Sequence, residues 1–377
     1  MRALRGVRLA TELDLRIEPQ TLARIRGAAS SLSSVSPERI RDEWLRVLQS
    51  ERPGRPIRLL DHLGLLGTIF PDIEPLRGLA QPPPHAFDGL THTLSVIDHL
   101  GDLLSLLGPH SDEHRPADLT LGEASLRLGR FRTGIDEYLR HELAPGRTRR
   151  ELLFMAALLH DVGKPLTGER DAGGRLRFLE HESHGARLAG ERARALRLSN
   201  DESDFLVSLV LHHMRPETLQ AGIVVSRRAA YRFFQDTGQA GVGVVLFSLA
   251  DLLGKYAASP PQAEWGGRVG VARSLLQAFF EAHSEIVDPQ RLVTGEEVMQ
   301  TLGLQPGPTI GRLMETLREA QAEGGVRTRD EALAFLRATL AGMGQTEPKV
   351  RTPIAKQPGG KAPHAMGRAP RDKRRAD

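Results

Sequence analysis

Apolar side chains recur along most of the chain at the spacing of one helix face. Ile40, Trp44 and Leu48 form one such stripe, and Ser36-Pro37 before it supplies an N-cap followed by a proline at the first helical position. No stretch keeps the two-residue alternation of a half-buried strand, so we predict an all-α fold. Later stripes predict helices over roughly 132–144, 149–160, 183–195, 200–213, 226–235, 241–256 and 267–283.

Breaks between these stripes divide the chain into predicted parts. Proline and glycine interrupt the helical pattern at 51–57, and loop-like residues interrupt it at 81–90 and 109–124. The residues 344–377 are rich in proline, glycine and charge, which predicts a disordered basic tail. Before it we predict an N-terminal helical region, a large helical core and a small C-terminal helical module, over 1–75, 76–285 and 286–343.

Composition excludes several classes of protein. The 377 residues are 40% apolar and 26% charged, which is ordinary for a soluble protein, and no apolar run approaches the roughly 20 residues of a membrane span. The arginine-rich N-terminus has no apolar segment after it, so it is not a secretory signal. We therefore expect a cytoplasmic protein with no membrane contact. Cysteine is absent, so any metal must be bound by histidine and carboxylate ligands.

Positive charge is unevenly distributed. Nine Lys or Arg and three Asp or Glu lie between Thr346 and Asp377, so the net charge of +4 comes from the tail and the body is near neutral. The tail either contacts RNA non-specifically or only keeps the chain soluble. Lysine occurs at six positions, and only Lys164 and Lys255 precede the tail. Each of these two follows an aspartate by three or four residues, which indicates a preference for a compact ammonium over a planar guanidinium.

The stretch A-A-L-L-H-D-V-G-K at 156–164 places two polar side chains at the end of an apolar helix. A buried carboxylate must be paired or bound to a metal, and imidazole and carboxylate are good ligands for divalent transition metals. His160 and Asp161 are therefore candidate ligands, and Gly163 would let the chain turn sharply after them. The alternative is a helix that simply reaches the surface there.

Other segments also carry histidine or aspartate beside apolar runs. Any one of them is more often a satisfied polar residue of the core, but together they share the chemistry of metal ligands. They favour one site assembled from several helices. The residues are His92, His181, the pair His212-His213, and Asp251.

In this order the residues resemble the H…HD…D motif of the HD-domain metal-dependent phosphohydrolases. H-D-V-G-K matches the common H-D-[IV]-G-K of that family, and H-x-x-x-G at His181–Gly185 matches a further element. The resemblance implies a divalent ion (Mn, Co, Ni, Fe, Zn or Mg) on four core ligands, His92, His160, Asp161 and Asp251. It assigns the second ion to His181 and His212, and the substrate phosphate to Lys164, His213 and Arg215.

Segments outside the motif resemble the bacterial tRNA nucleotidyltransferases and poly(A) polymerases. They include L-R-G-V-R-L-A-T-E-L-D-L and V-S-P-E-R-I-R-D-E-W-L near the N-terminus, and L-V-T-G-E-E-V-M-Q-T-L-G-L near the C-terminus. In that family a neck, an HD domain and RNA-contacting helices follow a catalytic head, which implies that residues 1–75 are an RNA-binding neck. The head's G-[GS]-x-x-R followed by a D-x-D pair is missing here, and only the arginine of its E-D-x-x-R motif would be present, at Arg2. We therefore expect no nucleotide addition by this chain.

These resemblances lead to a predicted function, a metal-dependent phosphohydrolase linked to tRNA or other RNA metabolism. The ion would activate a bound water, Asp161 would help position that water, and Lys164 would stabilise the phosphoryl group. Expected substrates are phosphomonoesters, cyclic phosphodiesters or an RNA end.

Two alternatives remain. One is a degenerate relic, which is disfavoured because every ligand position is intact. The other is a head-less RNA-binding relative, or a fragment, of a CCA-adding enzyme or poly(A) polymerase. It would hold tRNA beside a separate head protein through neck arginines such as Arg2, Arg5 and Arg8, which share one helix face by spacing.

Overall fold

The structure is a computed structural model that describes residues 1–108, 119–221 and 225–343. Short 3-10 turns and one π turn connect some of its helices. Two antiparallel hairpins pair β1 (Glu142–Ala144) with β2 (Arg147–Thr148) and β3 (Gly168–Arg170) with β4 (Leu176–Phe178). The α-helices are α1 (Arg2–Glu12), α2 (Pro19–Gly27), α3 (Pro37–Leu48), α4 (Gly54–His62), α5 (Leu65–Ile69), α6 (Gly89–Leu106), α7 (Leu119–Leu128), α8 (Arg132–Arg140), α9 (Arg149–Leu159), α10 (Lys164–Thr167), α11 (His181–Ala195), α12 (Asn200–His212), α13 (Arg215–Thr218), α14 (Arg227–Thr237), α15 (Gly241–Gly254), α16 (Gln262–Phe280), α17 (Gly295–Leu302), α18 (Pro308–Glu323) and α19 (Arg329–Met343).

The N-terminal helices share one hydrophobic core with the central ones. Leu4 and Val7 on α1 are fully buried, and α1 packs against α3 and α4. Trp44 on α3 is buried too, with its ring 4.7 Å from the ring of Phe70. Because these side chains belong to the same cluster as those of α6–α16, apolar packing holds the N-terminal helices to the body.

Helix α15 runs through the centre of the body, and all of its residues are buried. It packs against α6 and α16, and its approach to α6 depends on a glycine. A Cβ added at Gly254 would lie 2.6 Å from the Cγ2 atom of Val96 on α6. The missing side chain lets the two helices come together, which brings Asp251 next to His92.

Side-chain caps set where the helices of the site begin. Thr148 and Glu151 form a capping box at the start of α9, and Ser199 and Glu202 form another at the start of α12. Asp88 caps α6 by accepting a hydrogen bond of 2.9 Å from the Thr91 amide. Because a cap sets the residue at which a helix begins, it also sets the direction in which the side chains near the end of that helix point.

The C-terminal helices have a small core of their own. Helix α18 docks on α14 of the main body through Glu319, which pairs with Arg228 at 2.8 Å and with Arg232 at 2.5 Å. The boundary at 286 stays a prediction. The buried apolar residues of this second core are Val293, Val298, Leu313, Leu317, Val326, Ala332, Leu333 and Leu336.

The predicted all-α fold is confirmed, with two local exceptions. The hairpin strands were missed because two or three residues are too few to show a period of two. The loop predicted at 109–124 is wrong from Leu119 onward, where α7 begins. Four of the ten residues of α7 are leucine, and Ala124 and Leu128 are buried where the helix packs against α16. The rest of that loop and the predicted tail lie outside the described residues.

One stretch, 227–254, is long and apolar enough to cross a membrane by length and composition alone. It comprises α14 and α15, and 89% of its most apolar window is buried inside the fold. Its hydrophobicity is therefore accounted for by the core.

Candidate metal centre

Histidine and aspartate side chains from five helices meet at one buried point of the main body. Two groups of these side chains have ligand atoms close enough together to share an ion. All of the side chains are at most 7% exposed. They are His92 on α6, His160 and Asp161 directly after α9, His181 at the start of α11, His213 directly after α12, and Asp251 on α15.

The first of these groups is His92, His160 and Asp161, and Asp251 lies beside it; we call these four residues the first ligand group. The Nε2 atoms of His92 and His160 are 3.3 Å apart. Asp161 Oδ2 lies 3.1 Å from the His160 Nε2 and 3.7 Å from the His92 Nε2. Asp251 Oδ1 lies 3.1 Å from His92 Nε2 and 3.8 Å from His160 Nε2. Four ligand atoms of two nitrogens and two oxygens thus converge on one small space.

The second group shares Asp161 with the first. The Nε2 atoms of His181 and His213 are 3.2 Å apart, and Asp161 Oδ1 is 3.5 Å from the His181 Nε2. The two oxygens of one carboxylate therefore face two different histidine pairs. This arrangement suits a carboxylate that bridges two ligand groups.

Backbone carbonyls decide which nitrogen of each histidine is available. In all four rings Nδ1 donates to a carbonyl oxygen, and because a carbonyl only accepts, Nδ1 carries the proton. In a neutral ring Nε2 is then a bare acceptor, so each pair directs two lone pairs at each other across about 3 Å. A cation between them relieves that repulsion. The carbonyls are those of Gly254 for His92 (3.1 Å), Ala157 for His160 (2.9 Å), Phe178 for His181 (2.8 Å) and Val210 for His213 (2.6 Å).

Asp161 Oδ2 is a buried oxygen that needs a cation, and in the metal-free chain the Lys164 ammonium lies 2.6 Å from it. Among the described residues this buried oxygen has no donor with hydrogen-bond geometry, although charged groups lie near it. A buried carboxylate oxygen without a donor is costly unless a cation satisfies it. The set of nitrogen and oxygen ligands suits Zn, Mn, Fe, Co or Ni. The residues present therefore fit a divalent ion.

The aspartates of the centre are held ionised by their neighbours. Burial alone would raise the pKa of Asp161, but His160 and Lys164 hold it well below its usual range. Burial would likewise raise the pKa of Asp251, and Lys255 with a nearby imidazole holds it low instead. Both carboxylates therefore keep the charged form that binds metal.

The histidines divide into two electrostatic types. Burial alone would lower the pKa of His160, but the adjacent Asp161 carboxylate raises it. Burial lowers the pKa of His213 to about 3, so that ring stays neutral at ordinary pH. Burial, followed by the charge of Lys164, lowers the pKa of His85 to about 4. Neutral imidazoles are the form that ligates a metal.

A cavity of about 160 Å³ lies beside the ligand atoms. Phe178 and Met214 form part of its apolar wall, and His85 lines it as well. The ring of His85 lies edge-on to that of His92, with 5.1 Å between the ring centroids. The pocket therefore combines an apolar wall with the charged groups of the centre.

Two glycines of the sequence motifs allow the segments to touch. A Cβ added at Gly163 would overlap the carbonyl oxygen of His181 and lie 2.7 Å from the amide nitrogen of Gly185. The backbone at Gly163 is ordinary right-handed helix, with φ −78° and ψ −21°. The chain does turn at 160–163, but with backbone angles that other residues also adopt, so the turn itself does not need glycine. The role of Gly163 is to let the chain after Asp161 cross the start of α11 at backbone contact.

Two predicted site residues lie elsewhere. His212 was assigned to the second ion, but the structure brings His213 to His181, and His212 faces Arg215 and Asp236 instead. Arg215 was assigned to the substrate, yet its guanidinium pairs with Asp236 and does not line the cavity. The other predicted residues, His92, His160, Asp161, Lys164, His181, His213 and Asp251, are brought together.

The sequence contained a signal for His213 that the prediction did not use. Leu206, Leu209 and Val210 are buried on one face of α12, and position 213 continues that face while position 212 does not. His85 and Phe178 were missed because they lie in a loop and at the end of a three-residue strand, where no helical periodicity marks the buried side.

Comparison with known proteins identifies the regions of the chain. The family model described as the probable RNA and SrmB-binding site of polymerase A matches residues 14–76. The HD domain model matches residues 89–253. The candidate metal centre lies within the second of these matches.

Relatives match over most of the chain. It is 33% identical to the CC-adding tRNA nucleotidyltransferase of Thermus thermophilus, over 89% of this chain and 65% of the relative. It is 30% identical to the A-adding tRNA nucleotidyltransferase of Deinococcus radiodurans, over 89% of this chain and 67% of the relative. The chain thus spans about two thirds of the length of these curated relatives.

A solved complex of a CCA-adding enzyme with CTP has a similar fold. Its TM-score is 0.50 at 14% sequence identity, over 90% of this chain and 59% of that one. At this identity the likeness concerns the fold alone.

The relatives overturn the predicted hydrolase. They are nucleotidyltransferases, and their similarity extends well beyond the HD domain to 89% of the chain. The prediction of a phosphohydrolase is therefore wrong, and its phosphoester substrate loses support with it. The matches give no support to a separate head protein either. They favour the alternative of a relative of the CCA-adding enzymes.

Proposed function

The chain belongs to the tRNA nucleotidyltransferase family, and from that premise we propose that it holds tRNA for nucleotide addition. The observation that carries the proposal is the similarity over 89% of the chain to a CC-adding and an A-adding member. No D-x-D occurs in these 377 residues, and the match to G-[GS]-x-x-R at 173–177 lies in the hairpin of β3 and β4, so we assign to the chain the task of positioning RNA. In this proposal 1–75 is the neck, 76–285 the HD domain and 286–343 a C-terminal module.

A cluster of arginines on the neck supports RNA binding. Glu43 on α3 is 2% exposed, and three guanidinium groups share its carboxylate. Arg8 Nε lies 2.6 Å from it, Arg5 Nε 3.3 Å and Arg46 Nη1 3.7 Å. Arg5 and Arg46 are more than half exposed, so their free edges face solvent. We call these three residues, with Glu43, the arginine cluster.

Positive charge remains around the arginine cluster after Glu43 is neutralised. Partial burial and then the charge of Arg39 lower the pKa of the Met1 amine, and Arg2 and Arg5 act in the same direction. Arg8 also pairs with Glu12 at 2.6 Å, which leaves Arg5 and Arg46 as the outward-facing groups. A surface of guanidinium groups in fixed positions suits the phosphates of an RNA backbone.

The candidate metal centre of the HD domain, called the HD centre below, has a structural role in this proposal. His92, His160, Asp161 and Asp251 would hold a divalent ion, with His181 and His213 as the second ligand group. The ion would neutralise the two carboxylates and cross-link the ends of the helices that carry them. The backbone carbonyls on the four Nδ1 atoms leave each Nε2 directed at the ion. By analogy with its bacterial relatives, we also propose a cytoplasmic location.

Binding of labelled tRNA, followed by fluorescence anisotropy across a series of salt concentrations, tests the RNA-holding role. The double variant Arg5→Ala/Arg46→Ala removes the two exposed guanidiniums of the arginine cluster. We expect weaker binding, and a decrease in the slope of log K against log salt of about 1 for each phosphate that the variant no longer neutralises.

A matched control is the double variant Arg140→Ala/Arg187→Ala. These arginines are also exposed, and among the described residues each pairs only with an acidic residue on its own helix, Asp136 or Glu191. The control should bind tRNA like the parent. If the parent fails to bind tRNA at low salt, or if both double variants lose the same affinity, the proposal is wrong.

A further inference from the structure

Both lysines that precede the tail lie at the HD centre, although arginine is the basic residue almost everywhere else in the body. Lys164 is 6% exposed and Lys255 is 8% exposed. Each ammonium contacts one of the two carboxylates of the first ligand group. The two contacts differ in the oxygen they use.

Lys164 occupies the side of Asp161 that faces the histidines. Its Nζ lies 2.6 Å from Asp161 Oδ2, the same atom that is 3.1 Å from the His160 Nε2. The side-chain oxygen of Gln81 accepts a hydrogen bond of 2.6 Å from the same ammonium. An ion on the first ligand group needs the Oδ2 oxygen that Lys164 contacts.

Lys255 occupies the far side of Asp251. Its Nζ lies 3.3 Å from Asp251 Oδ2, whereas Oδ1 of that carboxylate faces the His92 Nε2 at 3.1 Å. Glu217 accepts a hydrogen bond of 2.9 Å from the same ammonium and holds it on that side. Lys255 therefore orients Asp251 without occupying its ligand oxygen.

The charges of the centre balance without any bound ion. Three carboxylates, Asp161, Asp251 and Glu217, face three cationic groups, those of Lys164, Lys255 and Arg268. Uncompensated buried charge would otherwise oppose folding of the metal-free protein. A divalent ion on the first ligand group must share Asp161 Oδ2 with Lys164 or remove the ammonium from it, since like charges repel strongly in a buried site.

We propose that the Lys164 ammonium neutralises Asp161 in the metal-free protein and is displaced from it when a divalent ion binds, whereas Lys255 stays on Asp251. The inference rests on the metal centre proposed above. It makes metal affinity a competition within the chain, so the protein folds with or without the ion. Lys164 thereby sets how tightly the centre binds a divalent cation.

Titration of the chelator-treated full chain with Co²⁺, followed by calorimetry and visible absorption, tests this assignment. Lys164→Met and Lys255→Met are matched variants, since each removes one buried ammonium beside one ligand carboxylate. We expect Lys164→Met to lower the Kd for Co²⁺ at least tenfold. Lys255→Met should change the Kd by less than threefold, because Lys255 does not contact the Asp251 oxygen that faces the histidines.

Thermal unfolding supplies a second readout. Co²⁺ should raise the melting temperature of the chelated parent by less than it raises that of Lys164→Met, because the parent binds the ion more weakly. Chelated Lys164→Met should melt lower than the chelated parent and recover when Co²⁺ is added. If Lys164→Met does not fold, Lys164→Gln keeps a hydrogen-bond donor without the charge and carries the same expectations.

The outcomes separate the inference from the proposed metal centre. Equal gains in Co²⁺ affinity for the two lysine variants would show a general charge effect and overturn the displacement. Unchanged or weaker Co²⁺ binding by Lys164→Met would overturn it as well, while binding by the parent would leave the metal centre standing. If neither the parent nor Lys164→Met binds Co²⁺, both the centre and the displacement are wrong.

Discussion

The HD centre and the arginine cluster both surround a buried carboxylate with cationic groups, but they do so in opposite proportions. At Asp161 the nearby imidazoles direct bare lone pairs inward, and one ammonium balances one carboxylate. At Glu43 three guanidinium groups share one carboxylate, and their free edges face solvent. The first arrangement leaves room for a cation and the second for an anion. The number and direction of the cationic partners decide whether the surroundings of a buried carboxylate suit a cation or an anion.

The largest effect is expected from a substitution that disrupts the HD centre. Asp161→Ala removes the bridging carboxylate and leaves the buried Lys164 ammonium unpaired. Since loss of one partner of a buried pair typically costs about 3–5 kcal/mol, urea unfolding should show a decrease of that size. Co²⁺ binding should disappear in calorimetry. Asp136→Asn, which breaks only an exposed pair with Arg140, should change stability by less than about 0.5 kcal/mol. Equal stability of the two variants would contradict the buried pairing.

The second effect concerns backbone contact, on which only the HD centre depends. Gly163→Ala forces a Cβ against the His181 carbonyl, so overpacking should lower the unfolding free energy by up to about 3 kcal/mol. Gly6→Ala on α1 is the control, because its Cβ would meet only Ile25 at an ordinary 3.8 Å. That substitution should be neutral or stabilise by up to about 1 kcal/mol, as expected inside a helix. Urea unfolding of both variants distinguishes the two regions, and a neutral Gly163→Ala would refute the close crossing.

The third effect is a pH dependence of stability that arises at the HD centre and not at the arginine cluster, because the arginine cluster contains no histidine. The pKa of folded His213 is about 3, below its ordinary value of 6.5, so the unfolded chain binds more protons between these values. Its contribution to stability is full above pH 6.5 and is lost as the pH falls toward 3. Between pH 6.5 and 5 this loss amounts to about 2 kcal/mol.

Urea unfolding of the metal-free protein at these two pH values measures that loss. The variant His213→Gln should lose correspondingly less stability on acidification than the parent. Identical pH dependence of the two proteins would show that His213 is not held neutral by burial.

The smallest effect is expected from a substitution in the arginine cluster. Glu43→Gln keeps one acceptor oxygen, replaces the other with an NH2 group that cannot accept from a guanidinium, and removes the charge that orients Arg5 and Arg8. We expect a loss of about 1 kcal/mol in stability, since charge-assisted hydrogen bonds become neutral ones. Co²⁺ binding at the HD centre should be unaffected in calorimetry, while tRNA binding should keep its salt dependence because every guanidinium remains. Loss of Co²⁺ binding in this variant would mean that the two regions are not independent.

Much of the HD centre was predictable from local sequence. Apolar runs that end in His160-Asp161, and an aspartate inside the apolar helix around Asp251, indicate polar groups that must be satisfied in the core. The scarcity of lysine singled out Lys164 and Lys255, and both lie at the centre. The choice between His212 and His213 was also within reach, because the buried face of α12 continues to position 213.

Other features depended on contacts between distant segments. His85 lies in a loop, and only the packing of that loop against α6 places its ring beside His92. The role of Gly163 follows from the crossing of α11, which no local pattern reveals. Helix α7 was predicted as loop because its first residues follow the polar stretch at 109–118, whereas its contact with α16 is not visible in the local sequence.

The sequence by itself determined the helical class, the order of the ligand segments and the family to which the chain belongs. These follow from periodicity and motifs, which are properties of neighbouring residues. The tertiary structure alone decided which oxygen of each aspartate faces the histidines and which faces a lysine. It also decided that three arginines from two helices share Glu43. Such directions depend on how helices distant in sequence pack together, because rotation of either helix would turn the same side chains elsewhere.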